Sequence, residues 1–143
     1  MTTLRADHKA LTTGRTIYLK TVKQPTEVKR LLQPASTNKK LGGGKDVITR
    51  GPWRGMPLYQ LSLEERKTCP KTCDQWAGCY GNNMPFANRI DHKSATFLPM
   101  LASELAALSS RHPEGFAVRL HVLGDFFSKG YVQFWKRMLR KHS

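Results

Sequence analysis

The chain has 143 residues and a formal net charge of +14, because 24 lysines and arginines stand against 10 acidic residues. This length predicts about one domain with a sizeable core, and no apolar run approaches the roughly 20 residues of a membrane-spanning helix. No apolar stretch follows the charged N-terminus, so we expect no secretory signal, no membrane association and a cytoplasmic location. The positive charge favours an anionic partner such as nucleic acid, although a solvated basic surface explains it equally well.

The first part of the chain, residues 1–56, predicts a basic, loop-rich N-terminal extension. Residues 16–22 have the β-branched and aromatic content of a short strand, and residues 27–32 predict one helical turn. The segment 34–45 is rich in glycine, lysine and turn-forming residues. It lacks the P-loop pattern, because an aspartate follows its last lysine, so we expect a flexible loop that could contact an anion.

The second part, residues 57–143, predicts a pair of β/α units. Its first strand is expected within 57–63, and the spacing of Ser62 and Glu65 predicts a capping box that opens a helical turn. Leucines then recur at helical spacing, which predicts a helix over 98–110.

The second β/α unit has the clearest pattern in the chain. Residues 116–123 alternate as in a strand, which ends in Gly124-Asp125, and Ser128 is expected to cap the next helix. The apolar face of that helix is expected to comprise Tyr131, Phe134, Trp135, Met138 and Leu139.

This order of elements predicts an α/β protein with a parallel sheet and functional groups at the carboxyl ends of its strands. Two β/α units cannot close a barrel, and the parallel edge that they expose is normally covered. We therefore expect a partial parallel β/α barrel, truncated from a longer form, or completed by a partner chain or by self-association.

The three cysteines of the chain lie within one short window, at Cys69, Cys73 and Cys79. An odd, tightly spaced cluster argues against a secreted disulfide framework and favours metal binding or catalysis in a reducing compartment. Three thiolates can hold a [4Fe-4S] cluster and leave one iron open.

Two other interpretations of the cysteines stay open. A closed zinc site needs a fourth ligand, for which His92, His121 and His112 are the candidates nearest in sequence. Alternatively, the thiols bind no metal.

Several stretches resemble known families. The cysteine triplet, with Tyr80 directly after its last member, resembles the cluster loop of the radical SAM superfamily, and Gly124-Asp125 resembles that superfamily's glycine-glycine-glutamate motif. The chain is also similar, over about residues 38–140, to gene product 88 domain proteins of phages and prophages. The stretches that carry this second resemblance are 61–66, 69–83 and 119–128.

The resemblance implies a radical-SAM-like barrel in which the three cysteines ligate a [4Fe-4S] cluster. Gly124 and Asp125 would then contact the methionine amine of S-adenosylmethionine. The strand pattern places Arg119 and His121 on one face near this site, where Arg119 could bind a carboxylate or phosphate. The alternatives are an ion pair with a buried acid for Arg119, a hydrogen-bonded core position for His121 and a turn or cap role for Asp125.

We therefore expect an iron–sulfur cluster-binding protein of phage or mobile-element origin. It could carry out S-adenosylmethionine-dependent radical chemistry on an unknown substrate, and the sequence assigns no catalytic residue. The alternative is a non-enzymatic, zinc-stabilised accessory protein that binds nucleic acid.

Overall fold

The computed structural model describes residues 2–38 and 44–142. Within these ranges the chain forms three α-helices and five short strands, joined by turns and short 3-10 helices. The helices are α1 (Lys9–Thr13), α2 (Phe97–Arg111) and α3 (Lys129–Lys141). The strands are β1 (Val22–Lys23), β2 (Gln33–Pro34), β3 (Leu58–Gln60), β4 (Arg89–Ile90) and β5 (Ala117–Arg119).

The strands form two small sheets. One contains β1 and β4, which run parallel with Val22 opposite Arg89. The other has the order β2-β3-β5, in which β3 pairs antiparallel with β2 and parallel with β5. The parallel pair aligns Tyr59 with Val118, so the strand that precedes the cysteines lies beside the strand that precedes Gly124.

The expected partial parallel β/α barrel, like that of radical SAM proteins, is wrong. The described strands are two or three residues long, they are split between two sheets, and β2 runs antiparallel to its neighbour. A barrel requires longer strands that tilt and pair in one continuous sheet.

The strand predicted over 116–123 is regular only at Ala117–Arg119, because its ladder is interrupted. Leu61 donates its N–H to the carbonyl of Arg119 at 3.1 Å, and Val122 donates to the carbonyl of Leu61 at 3.0 Å. A regular parallel ladder would use the N–H of His121 instead, so one extra residue has entered this strand. Such a bulge ends regular pairing and redirects the neighbouring side chains.

The core lies between the β2-β3-β5 sheet and helices α2 and α3. The predicted helix over 98–110 is confirmed, with its apolar side chains buried at spacings of three and four residues. The helix after Ser128 is also confirmed, and Ser128 caps it by accepting a hydrogen bond from the N–H of Tyr131 at 3.1 Å. Leu139, predicted to belong to its apolar face, is exposed instead. Buried residues of the two helices are Phe97, Leu101, Leu105, Leu108, Tyr131, Phe134 and Trp135.

Two predictions in the N-terminal part are corrected. Residues 16–22 form mainly a 3-10 turn (Leu19–Thr21) rather than a strand, and the helical turn lies at Pro25–Glu27, before the predicted 27–32. The glycine-rich part of the predicted loop, residues 39–43, lies outside the described residues.

The predicted capping box of Ser62 and Glu65 is also wrong, because turns rather than a helix follow Ser62. The carbonyl of Ser62 accepts the N–H of Ile90 at 3.0 Å. The Glu65 carboxylate pairs with Arg89 instead of returning to the backbone. Long-range pairing therefore overrides the local signal.

Residues before position 56 supply strands to both sheets, namely β1 and β2. Arg15 also pairs with Glu64, at 2.6 Å between Nε and Oε2. The division into 1–56 and 57–143 stays a prediction, but the two parts are in extensive contact.

Among the described residues, no helix combines the length and the apolar character needed to cross a membrane.

Replacing Ser128 by alanine tests its role as the cap of α3. Loss of the side-chain acceptor leaves a helix N–H group unsatisfied, so we expect Ser128→Ala to lower the free energy of unfolding by about 1 kcal/mol. Urea unfolding measures this change. Ser110→Ala, at an exposed position within α2, serves as the control and should leave stability nearly unchanged; an equal effect of both substitutions would refute the capping role.

Candidate functional site

A cavity of about 530 Å³ opens beside the cysteine window. It brings together all of the residues predicted to bind the cluster and S-adenosylmethionine. These are Cys69, Cys73, Cys79, Arg119, His121, Gly124 and Asp125. Glu65 and Tyr80, which the sequence analysis did not assign to the site, also line the cavity.

The cysteine window consists of consecutive turns. The N–H of Cys69 bonds to the carbonyl of Arg66 at 3.2 Å, and the N–H of Cys73 bonds to that of Pro70 at 3.0 Å. On the outer side, the indole N–H of Trp76 donates to the carbonyl of Leu11 in α1 at 3.1 Å. Backbone and tryptophan contacts therefore hold the window, and the sulfur atoms take no part in a disulfide.

The three thiols are partly buried and close enough to influence one another. Burial is the main cause that raises the pKa of Cys69 and of Cys79, although a backbone N–H lowers each pKa in part. Negative charge on the neighbouring Cys73 raises both pKa values further. A nearby cation would therefore favour deprotonation of Cys69 and Cys79.

The thiols do not stand in a ready coordination geometry. Across residues 2–38 and 44–142, no group of three or more histidine, cysteine, aspartate or glutamate side chains is arranged to hold a metal ion. Metal binding by the window would therefore require its cysteine side chains to reorient toward one point.

A buried ion pair forms the base of the site. Both oxygens of Glu65 accept the Nε–H of Arg89 at 2.8 Å, and the two side chains are almost fully buried. Arg89 also donates to the carbonyl of Gly81 at 3.0 Å. A Cβ on Gly81 would lie 2.5 Å from the Glu65 carboxylate, so only glycine fits here.

Two more charged side chains brace the same segment. Glu64 accepts bonds from Arg15 and from the N–H of Thr16. Arg66, at a positive φ of 69°, donates to the side-chain oxygen of Asn82 at 2.6 Å and to the carbonyl of Trp76 at 2.8 Å. The charged run 64–66 thus forms a buried framework. The sequence signal that could have indicated this role is its position directly after the apolar residues Leu61 and Leu63, which are also buried.

Thr68 joins the cysteine window to the end of the β5 segment. Its hydroxyl accepts the N–H of Asp125 at 3.0 Å and donates to the carbonyl of Glu64 at 2.9 Å. Gly124 has a φ of 88°, and a Cβ there would lie 2.6 Å from the Thr68 hydroxyl. The Asp125 carboxylate accepts the N–H of Phe126 at 2.7 Å, so part of its role is to form a turn.

His121 is an uncharged polar group in the cavity wall. Its Nε2 lies 3.0 Å from the Tyr131 hydroxyl, and burial lowers its pKa to about 4. The other two histidines proposed as zinc ligands do not line the cavity. His92 packs on the ring of Phe127, and His112 bonds to the hydroxyl of Tyr59.

Arg119 brings a cation to the mouth of the same cavity. The side chain is exposed and has no hydrogen-bond or ion-pair partner within the described part of the chain. Burial raises the pKa of the nearby Tyr80 phenol, and the charge of Arg119 opposes that rise. Arg119 is therefore available to an anionic ligand.

A family model described as gene product 88 matches residues 26–143. The chain therefore belongs to the gene product 88 family, which confirms the phage-family resemblance. No curated protein and no solved structure matches the chain. The comparisons give no support for the radical SAM resemblance.

The Glu65–Arg89 pair yields a test of the framework. Glu65→Gln leaves Arg89 as a buried, unpaired charge, so we expect a loss of about 3–5 kcal/mol in the free energy of unfolding. Urea unfolding measures this loss, and an m-value equal to that of the parent protein would show that the change is one of stability. The matched control is Glu114→Gln, in an exposed turn, where the expected change is within about 0.5 kcal/mol. Similar stability of the two variants would contradict a structural role for the pair.

The low pKa of His121 predicts a pH effect on stability. The unfolded histidine takes up a proton near pH 6.5, whereas the folded one does so only at about pH 4. The unfolded state binds more protons between these values, so the free energy of unfolding falls as pH falls through this window. His121→Gln removes that contribution, and thermal unfolding across the window should show a shallower pH dependence. Parallel profiles for the two proteins would refute this prediction.

Proposed function

We propose that the chain binds an iron–sulfur cluster through Cys69, Cys73 and Cys79. The observation that carries the proposal is the convergence of three free thiols on one cavity. Cysteine thiolates are the usual ligands of such clusters, and three of them leave one iron of a [4Fe-4S] cluster without a protein ligand.

The electrostatics of the cavity also support this proposal. Burial raises the pKa of Cys69 and of Cys79, and negative charge on neighbouring thiols raises these two pKa values further. A bound metal centre would offset this repulsion and stabilise the thiolates. Because turns rather than helix or strand form the window, reorienting the cysteine side chains breaks no regular secondary structure.

A cluster is favoured over zinc because the cavity lacks an available histidine. A closed structural zinc site needs four protein ligands. Among the three candidate histidines only His121 lines the cavity, and its Nε2 already contacts Tyr131. The remaining candidates for a fourth ligand are carboxylates of the cavity such as Asp125, and three cysteines with a carboxylate fit an open cluster better than the usual cysteine and histidine sets of structural zinc.

The bound group would supply electron-transfer or Lewis-acid chemistry at its open iron. The chain itself would contribute an exposed guanidinium at Arg119 and a neutral imidazole at His121. Arg119 could hold an anionic ligand, and the desolvated ring of His121 resists protonation near neutral pH. S-adenosylmethionine is a candidate ligand, and its carboxylate, rather than the whole molecule with its positive net charge, is the group that Arg119 could bind.

Anaerobic purification and reconstitution with iron and sulfide test the proposal. We expect a brown protein with about four irons and four acid-labile sulfides per chain, as one [4Fe-4S] cluster requires. Serine in place of any one of the three cysteines should remove most of the iron. Thr72→Ala, at another residue that lines the cavity, should retain it.

Other results would count against the proposal in distinct ways. A colourless protein with one bound zinc would favour the zinc-stabilised alternative. A folded protein with neither metal, or a cluster that survives all three serine substitutions, would overturn metal binding at this window. Addition of S-adenosylmethionine to the reduced cluster should change its electron paramagnetic resonance signal; an unchanged signal would restrict the function to cluster binding.

A further inference from the structure

A second cavity, of about 480 Å³, lies where β2 and β3 meet the segment 83–90. It shares no lining residue with the cysteine cavity. Its volume is within the range of about 300–1,000 Å³ that is typical of ligand sites. The described lining contains one basic side chain, no acidic side chain and five carboxamides: Arg30, Gln33, Asn38, Gln60, Asn83 and Asn88.

Phe86 stands at this cavity with 93% of its surface exposed. The ring therefore lacks the stabilisation of about 1.5–3 kcal/mol that burial of such a side chain provides. In contrast, Phe97 and Phe134 are buried in the core. Because Phe86 lies at a cavity as well as being exposed, its ring is free to contact a ligand bound there.

The backbone on both sides of Phe86 is fixed. The fully buried Arg89 donates from Nη1 to the carbonyl of Met84 at 3.1 Å and to that of Ala87 at 2.9 Å. The ring is therefore presented on a braced turn. Such preorganisation lowers the entropy cost of binding a flat ligand on its face.

The polar groups of the cavity suit nucleobases. Within residues 2–38 and 44–142, the Arg30 guanidinium and the Asn88 carboxamide have no hydrogen-bond partner. A carboxamide can donate and accept at once, which matches the edges of unpaired bases. A guanidinium suits phosphate oxygens.

We infer that this cavity binds single-stranded nucleic acid, with Phe86 as the stacking platform for a base. In this arrangement Asn88 contacts a base edge and Arg30 contacts the phosphate backbone. The net charge of +14 attracts a polyanion over long range. An acidic peptide would pair with Arg30 but would leave the Asn88 carboxamide and the exposed ring largely unused.

Fluorescence anisotropy with labelled single strands of about 12 nucleotides, as DNA and as RNA of the same sequence, tests this inference. Phe86→Ala should weaken binding by about 5- to 150-fold, as expected for loss of one base stack. Phe86→Trp, which keeps an aromatic ring at this position, should retain most of the parent protein's affinity. Trp53→Ala removes another exposed aromatic ring, 65% exposed and outside the cavity, and should change binding by less than about twofold.

A charge variant separates the cavity from the general basic surface. Arg30→Gln should weaken binding and reduce the slope of log affinity against log salt by about one. Lys129→Gln removes one exposed charge at the start of α3, away from the cavity, and should leave the Phe86 effect intact. Tighter binding of RNA than of DNA would assign the natural ligand to RNA, and the reverse would assign it to DNA.

Several results would overturn the inference. These are no binding of single strands at low salt, binding that Phe86→Ala leaves unchanged, or Phe86-dependent binding of polyglutamate in preference to nucleic acid. Because the Phe86 ring is exposed, the variant should unfold at the same temperature as the parent protein, so a loss of binding cannot be attributed to misfolding. The cysteine-to-serine variants should bind nucleic acid normally, which keeps this test independent of the proposed cluster.

Discussion

The buried ion pair of Arg89 and Glu65 organises the structure around both cavities. Glu65 forms the base of the cysteine cavity and pairs with the Nε of Arg89. The two other nitrogens of Arg89 donate to the carbonyls of Gly81, Met84 and Ala87 and to the hydroxyl of Thr21. The Arg89 side chain therefore fixes the segment 81–87, which follows the cysteine window, and links it to Thr21, directly before β1. Removing either partner leaves a buried charge unpaired, which is far costlier than losing a surface salt bridge.

The convergence of the candidate site depends on small residues and on one hydroxyl. Thr68 binds the backbone at both Glu64 and Asp125, and Gly124 leaves the space that this approach requires. The bulge opposite Leu61 then changes the orientation of the chain around His121. The cavity thus forms between two irregular segments, without a barrel to position them.

The sequence predicted α2, α3 and the Ser128 cap because helical spacing and capping are local properties. The sequence also predicted that the cysteines and Gly124-Asp125 lie at the same edge of the sheet, since each follows one of two parallel strands, β3 and β5. It failed where distant partners decide the structure. Alternation over 116–123 does not reveal a one-residue bulge, and the role of Glu65 depends on Arg89, which lies 24 residues further along the chain.

The contact between Arg15 and Glu64 has a consequence for how this family unit can be exchanged between proteins. The family match begins at residue 26, yet the carboxylate of Glu64 inside that match takes its hydrogen bonds from Arg15 and Thr16, outside it. A graft of the matched region alone would carry a buried acid without its counter-charge. The matched region and the segment before it therefore depend on each other for stability in this chain, and a fusion partner that replaces this segment must supply a cation of its own.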